Sequence, residues 1–349
     1  MKGIRHTLTY ALLLMATGIA VACGQQHKEE GKPASTTSHI TLDTDTICEP
    51  EHDAEEPKML PIDSLHKATN SVYYWRTTYN PSARERAFMR RHRVGRMYLR
   101  MFDVVGEDNH TVPNATLKFK QKVPKGMEIV PTVFITVEAL QATGKSETAA
   151  LARKIVTRVE RMCDWNDIDN WTEIQFDCDW TGQTRDAFYA LCREVKAAMP
   201  QGKLLSSTIR LHQLAQKEPP VDYGVLMVYN TDDFRNPSTH NSILNDSTVE
   251  KFVKRKQLCR LPLDVALPIF EWSLVFSRDG QFLRLASESS HAADEVVKHE
   301  HVPYTTLQRT QALLQRYLDL GHHSTILYHL DEKNINRYSH EQIKSLYTH

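Results

Sequence analysis

Glycine is scarce in this chain, with 13 residues in 349, and it nowhere gathers into the Gly-rich turn that cradles a phosphate after a first strand. A nucleotide-binding fold loses its main support there. The sequence also has no CxxC pair, no HExxH helix and no GxSxG elbow, so the common zinc and serine-hydrolase signatures are missing. No metal and no cofactor are expected. Net charge is absent too: 43 Lys and Arg balance 43 Asp and Glu, which removes the global electrostatic case for a nucleic-acid partner. The one basic stretch, Arg84 to Arg100, falls on an expected helix and reads as a solvated face.

Long apolar runs are confined to the start. Lys2, Arg5 and His6 precede a mostly apolar run from Tyr10 to Val21, too short for a comfortable membrane span and closed by small residues. That is the pattern of an export signal over residues 1–22. Ala20-Val21-Ala22-Cys23 resembles the lipobox of bacterial lipoproteins, with Ala20 where Leu is usual, which implies lipidation of Cys23. A cleavable signal without lipid is the alternative. Residues 23–68 are polar, rich in Thr, Glu, Asp, His and Pro, and lack apolar periodicity, so they read as a tether. The expected location is the cell envelope, on the periplasmic or the surface face of an outer membrane. Four cysteines remain in the body (Cys163, Cys178, Cys192 and Cys259). Their pairing is not legible from sequence, and buried free thiols are the default.

Residues 69–349 are enough for one large domain. Short β-rich runs alternate with helical patterns: Val72 to Thr78, Arg96 to Val105, Glu128 to Val137, Glu173 to Asp179, Leu204 to Leu211, Tyr223 to Tyr229, Asp264 to Phe276 and Ser324 to Leu330. Eight such runs with intervening helices predict the α/β class and a (β/α)8 TIM-like barrel, with a small β insertion late in the chain near Ser277-Arg278-Asp279-Gly280. An open doubly wound sheet is the runner-up. Gly106 to Lys125 is a further long excursion after the second run.

The fourth run carries the strongest functional signal. Gln175, Asp177 and Asp179 alternate onto one face of a strand, and two acids there require a compensating partner. In a barrel, strand ends converge on the C-terminal mouth. The candidates for that mouth are Trp75, Arg76, Arg100, Asp103, Trp180, Arg210, His212, Tyr229, Asn230, Trp272 and His329 as binding residues. Glu271 joins the two acids because it interrupts the apolar run Ala266-Leu267-Pro268-Ile269-Phe270. Aromatics beside carboxylates and amides suit a carbohydrate partner, since sugar faces stack on rings and hydroxyls need donors and acceptors. A structural ion pair of Asp177 with Arg100 or Arg210, and tryptophans that merely plug the mouth, are the duller alternatives.

Asp177-Cys178-Asp179-Trp180 resembles the fourth-strand signature of family 18 glycoside hydrolases, Asp-x-Asp-Trp-Glu. The resemblance implies a barrel and a substrate site at its mouth. The family's acid, the final Glu, falls on Thr181, which cannot protonate a leaving group at neutral pH. More broadly, Tyr98 to Asp103, Pro131 to Ile135, Ile174 to Asp179 and Ala266 to Phe270 resemble a group of bacterial lipoproteins with a glycoside-hydrolase-like barrel. Two functions are expected to compete. One is a hydrolase in which Asp177 or Asp179 works against Glu271; the other is a barrel on a membrane anchor that binds glycans without cleaving them.

Overall fold

The computed structural model describes residues 66–108, 110–286, 294–320 and 323–347. The expected signal peptide, Cys23 and the tether as far as residue 65 lie outside the described residues. Packed chain already includes His66, within the stretch read as tether: its side chain is only 9% exposed.

Along the chain, β1 (Ser71–Tyr74) and the two-residue β2 (Thr78–Tyr79) precede helix α1 (Ala83–Arg91). Strand β3 (Arg96–Glu107) turns back as β4 (His110–Asn114), followed by β5 (Lys118–Phe119) and β6 (Glu128–Ile135). Helices α2 (Val137–Ala142) and α3 (Thr148–Trp165) lead to β7 (Glu173–Asp177), α4 (Arg185–Ala198), β8 (Leu204–Arg210) and β9 (Tyr223–Met227). Next come α5 (Asp246–Val253), β10 (Leu263–Pro268), β11 (Glu271–Ser277), β12 (Phe282–Ala286) and β13 (Glu295–His301). Helix α6 (Tyr304–Tyr317), β14 (Thr325–Tyr328), α7 (Glu332–Ile335) and α8 (His340–Leu346) complete the described chain.

Eight of these strands are staves of a closed parallel barrel in the order β1-β14-β10-β9-β8-β7-β6-β3, shut by pairing of β3 with β1. A parallel stave is covered on both faces, which is why β7, Glu173-Ile174-Gln175-Phe176-Asp177, is buried throughout. Ile174 and Phe176 alternate away from Gln175 and Asp177, and Phe176 meets Phe188 of α4 on the outside of the barrel. Outer helices bury one stripe each: in α3, Leu151, Ala152, Ile155, Val156, Val159, Met162 and Cys163 recur at helical spacing. Helix α1 opens on a capping box, Ser82 with Glu85, which satisfies two backbone donors at its start.

The seventh expected strand, Asp264 to Phe276, is two strands in two sheets. Its first half, β10, is a stave. The second half, β11, is the central strand of an antiparallel sheet ordered β12-β11-β13. The late insertion therefore exists but begins at Glu271, and its turn at Gly280 uses a φ of +85°. The Gly106 to Lys125 excursion is the β3–β4 hairpin followed by β5, which pairs with β2.

At the N-terminal end, the barrel is closed by a buried polar floor. Glu173 accepts from Ser206 Oγ at 2.5 Å and from the Tyr223 hydroxyl. His66 lies over the Tyr223 ring, with centroids 3.9 Å apart, and its Nε2 is 2.8 Å from Asp264 Oδ2. Arg96 reaches Glu128 at 2.9 Å and Ser324 Oγ at 3.3 Å.

Candidate functional site

The other end of the barrel is organised by one arginine. Arg210, the last residue of β8, donates from Nε to Asp179 Oδ1 and places Nη2 3.4 Å from Asp177 Oδ1. Thr208 Oγ1, two residues earlier on the same strand and on the same face, donates to Asp177 Oδ1 at 2.8 Å. Asp177 is 1% exposed. Burial pushes its carboxyl pKa up, Arg210 pulls it back down, and Asp179 adds to the upward push. The two acids that announce the site in the sequence therefore share a single guanidinium.

Aromatic rings continue from this point around the mouth. Arg210 lies over the Tyr229 ring at 5.5 Å, and Tyr229 stacks on Tyr328 at 4.8 Å. Tyr328 touches Trp75 at 6.0 Å and Phe270 at 5.9 Å. Trp75 meets Phe134 at 6.4 Å and carries Arg100 over its face at 5.0 Å. On the far side Phe270 meets Trp272 at 5.6 Å, and Trp272 meets Phe234 at 5.8 Å, which extends the track onto the β11 sheet. Trp75 and Trp272 are half-buried, so each presents part of a ring face to solvent. The Tyr229 hydroxyl, Asn230 Oδ1 and His329 Nδ1 are buried with no well-formed hydrogen bond among the described residues. Burial holds the His329 imidazole down at about 4, so it is neutral at physiological pH.

The remaining expected residues serve other neighbours. Arg100 holds Asp103 through both oxygens, with Nε to Oδ1 at 2.8 Å, and this i,i+3 pair is buried. Arg76 ties β1 to Glu85 of α1 at 2.5 Å and to Asp331 before α7 at 2.6 Å. Trp180 is 1% exposed and stacks on Phe188 at 6.3 Å under α4, so it offers no open ring face. His212 is exposed on the 3-10 turn Leu211–Ala215 that follows β8.

Glu271 stands apart from the acid pair. β10 and β7 are separated in the barrel by β9 and β8, and Glu271 opens the strand beyond β10. Its oxygens meet Lys333 Nζ at 2.7 Å and Arg337 Nη2 at 2.5 Å. Burial raises its carboxyl pKa, but the two cations together outweigh that and leave it lowered. Sequence reasoning missed both cations, as well as Phe234 and Phe270 on the aromatic track. A lone Glu in an apolar run signals that a partner exists, but gives no indication that it lies about sixty residues on.

No family model matches the chain, nor does any curated protein sequence. Solved structures do resemble it. A chitinase from Bacteroides thetaiotaomicron superposes with a TM-score of 0.51 at 10% identity, over 81% of this chain and 97% of that one. The spore cortex-lytic enzyme SleL of Bacillus cereus gives 0.50 at 13% identity, over 80% of this chain and 73% of that one. At these identities the likeness is one of fold: a glycoside-hydrolase-like (β/α)8 barrel.

Proposed function

We propose that this protein binds a carbohydrate at the C-terminal mouth of its barrel and holds it without cleaving it. The observation that carries this reading is the state of the carboxylates. Asp177 and Asp179 are both engaged by Arg210, and Glu271 by Lys333 and Arg337. Thr181 stands where the resembling hydrolases have their acid. A glycosidase of the two-carboxylate kind needs one carboxyl that carries a proton and one that is free to act. The mouth instead offers half-open ring faces beside buried polar atoms that lack a well-formed hydrogen bond among the described residues, a combination suited to sugar rings and their hydroxyls. Fold likeness to a chitinase and to a cortex-lytic enzyme supports a glycan as the ligand class.

The lipobox-like Ala20 to Cys23 and the polar stretch after it support a lipid-anchored envelope protein that presents this mouth away from a membrane. Replacement Cys23→Ser is expected to release the protein from the membrane fraction.

A hydrolytic reading has one observation in its favour: burial keeps the Asp177 carboxyl pKa raised, as a general acid requires. One experiment separates the two. The full-length chain is screened against bacterial, mucin and plant glycans, with binding and release of reducing ends scored independently. Binding without cleavage is expected, weakened about tenfold by Trp75→Ala or Trp272→Ala, which corresponds to roughly 1.4 kcal/mol. Cleavage that disappears in Asp177→Asn would replace the binding reading with the hydrolytic one. Unchanged binding in both tryptophan variants would place the ligand elsewhere.

A further inference from the structure

Strand β13 has one buried residue, and it is a carboxylate. Of Glu295–His301 only Glu300 is buried, at 3% exposure. The register of the β11 sheet sets it directly opposite Trp272, so the two side chains leave the same face of neighbouring strands. Glu300 Oε2 accepts from the Trp272 indole Nε1–H at 2.9 Å, from the Ser242 backbone N–H at 2.9 Å and from the Ser242 hydroxyl. Its Oε1 lies 2.8 Å from Lys298 Nζ. Burial raises the carboxyl pKa, but Lys298, Ser242 and the indole together outweigh that and leave it lowered, so the acceptor is an anion at neutral pH.

The plain account is that Glu300 neutralises Lys298 and ties down the loop between β9 and α5, to which Ser242 belongs. Neither task requires it. Lys298 is a quarter exposed and also donates to the Thr239 carbonyl. The same loop is fastened to β13 by Asn241, whose side-chain amide donates to the His301 carbonyl at 2.7 Å. A carboxylate that gives up its hydration for either purpose alone would be a costly choice. The indole is different, because it has a single donor and Glu300 is its acceptor. Phe270 and Phe234 touch the Trp272 ring at interplanar angles of 66° and 55°, and apolar contacts of that kind set no direction. The hydrogen bond does. Phe234 lies on the loop that Ser242 anchors, so one carboxylate holds both the indole and a ring packed against it.

We propose that Glu300 is a positioning residue: it holds the Trp272 indole at one angle, so that the half-open ring face beside the barrel mouth is already oriented before a ligand arrives. Its bearing on the ligand rests on the glycan reading above. A ring that is already fixed loses no further freedom when a sugar settles on it, whereas a ring free to swing must be ordered at each binding event. Glu300 itself touches no ligand in this scheme, because it lies beneath the sheet face and acts through the indole.

The test compares two conservative variants of the full-length chain. Glu300→Gln keeps an acceptor oxygen within reach of the indole and loses the charge. Glu300→Asp keeps the charge but is shorter by one carbon–carbon bond, about 1.5 Å, which takes the acceptor out of hydrogen-bond range. In the free protein the Trp272 indole N–H resonance is assigned by its absence in Trp272→Phe. It should exchange with solvent more slowly in the parent and in Glu300→Gln than in Glu300→Asp. For a glycan that the parent binds, Glu300→Asp should weaken affinity about fivefold and Glu300→Gln by about twofold or less. In a Trp272→Phe background Glu300→Asp should weaken it no further, because the effect passes through the indole. A carboxylate that only neutralises Lys298 would give the reverse order, with Glu300→Gln the more damaging. That reverse order, equal exchange in the parent and Glu300→Asp, or a Glu300→Asp loss undiminished in the Trp272→Phe background would each overturn the proposal. The expected exchange pattern in a parent that binds no glycan would support the positioning of Trp272 and overturn the glycan reading instead.

Discussion

Arg210 decides the character of the acid pair. A carboxylate as buried as Asp177 has lost most of its hydration, and the Thr208 hydroxyl replaces only part of it. The Arg210 guanidinium supplies the rest while also neutralising Asp179, and these two carboxylates push its own pKa further upward. A paired buried charge contributes little net stability, whereas stranding one member is costly. Arg210→Met should therefore destabilise the protein by about 3–5 kcal/mol in denaturant unfolding. The double variant Arg210→Met with Asp177→Asn should recover a substantial part of that loss, because the stranded charge is gone. Losses that simply add across the two sites would show that Asp177 does not depend on Arg210. The sequence made this pairing legible as one of two arginine choices, since an acid pair on a buried strand demands a cation and few strands offer one. Lys333 and Arg337 were beyond such reasoning because the contact with Glu271 is made only when α7 folds back across the barrel rim.

At the level of elements, local periodicity revealed the eight staves and most of the outer helices, because a stave is a short β-rich run between helical patterns. It failed where two sheets meet. From Asp264 to Phe276 the apolar character is interrupted by little more than Glu271, yet the hydrogen-bond partners change from β9 and β14 to β12 and β13. That change depends on residues far along the chain. The β3–β4 hairpin shows the converse, a local residue with a long-range reason. A Cβ on Gly106 would lie 2.6 Å from the backbone carbonyl carbon and oxygen of Glu138 in α2. Both sides of that clash are backbone, so neither can rotate away. Gly106→Ala is expected to cost about 1–3 kcal/mol by pushing α2 off β3, read as a lower denaturation midpoint with an unchanged slope. A midpoint equal to the parent's would mean that α2 tolerates displacement and does not set the hairpin's position.

Across the whole molecule, the two polar ends of the barrel are joined through a buried middle in which Gln175 meets the Tyr73 hydroxyl, Thr132 and Ser206, and the ends respond differently to pH. At the mouth each acid has a cation. At the floor, burial prevails over the cations: although Arg96, His66, Ser206 and Tyr223 all favour its ionised form, the Glu173 carboxyl is pushed up to about 7. In the unfolded chain the same group titrates near the ordinary glutamate value. The unfolded state thus releases its proton first as pH rises, and between those two values the folded state holds more protons. Stability from this group is full below the unfolded value and is lost as pH climbs through about 7, by about 3 kcal/mol for a shift of this size. Glu173→Gln keeps the shape and one of the two acceptor oxygens but cannot ionise. The difference in unfolding free energy between parent and Glu173→Gln should therefore move against the parent between pH 5 and pH 8, while groups titrating elsewhere cancel in the comparison. A flat difference would mean that Glu173 stays charged beside Arg96, and that the floor is an ion-paired plug with no part in the pH response of the fold.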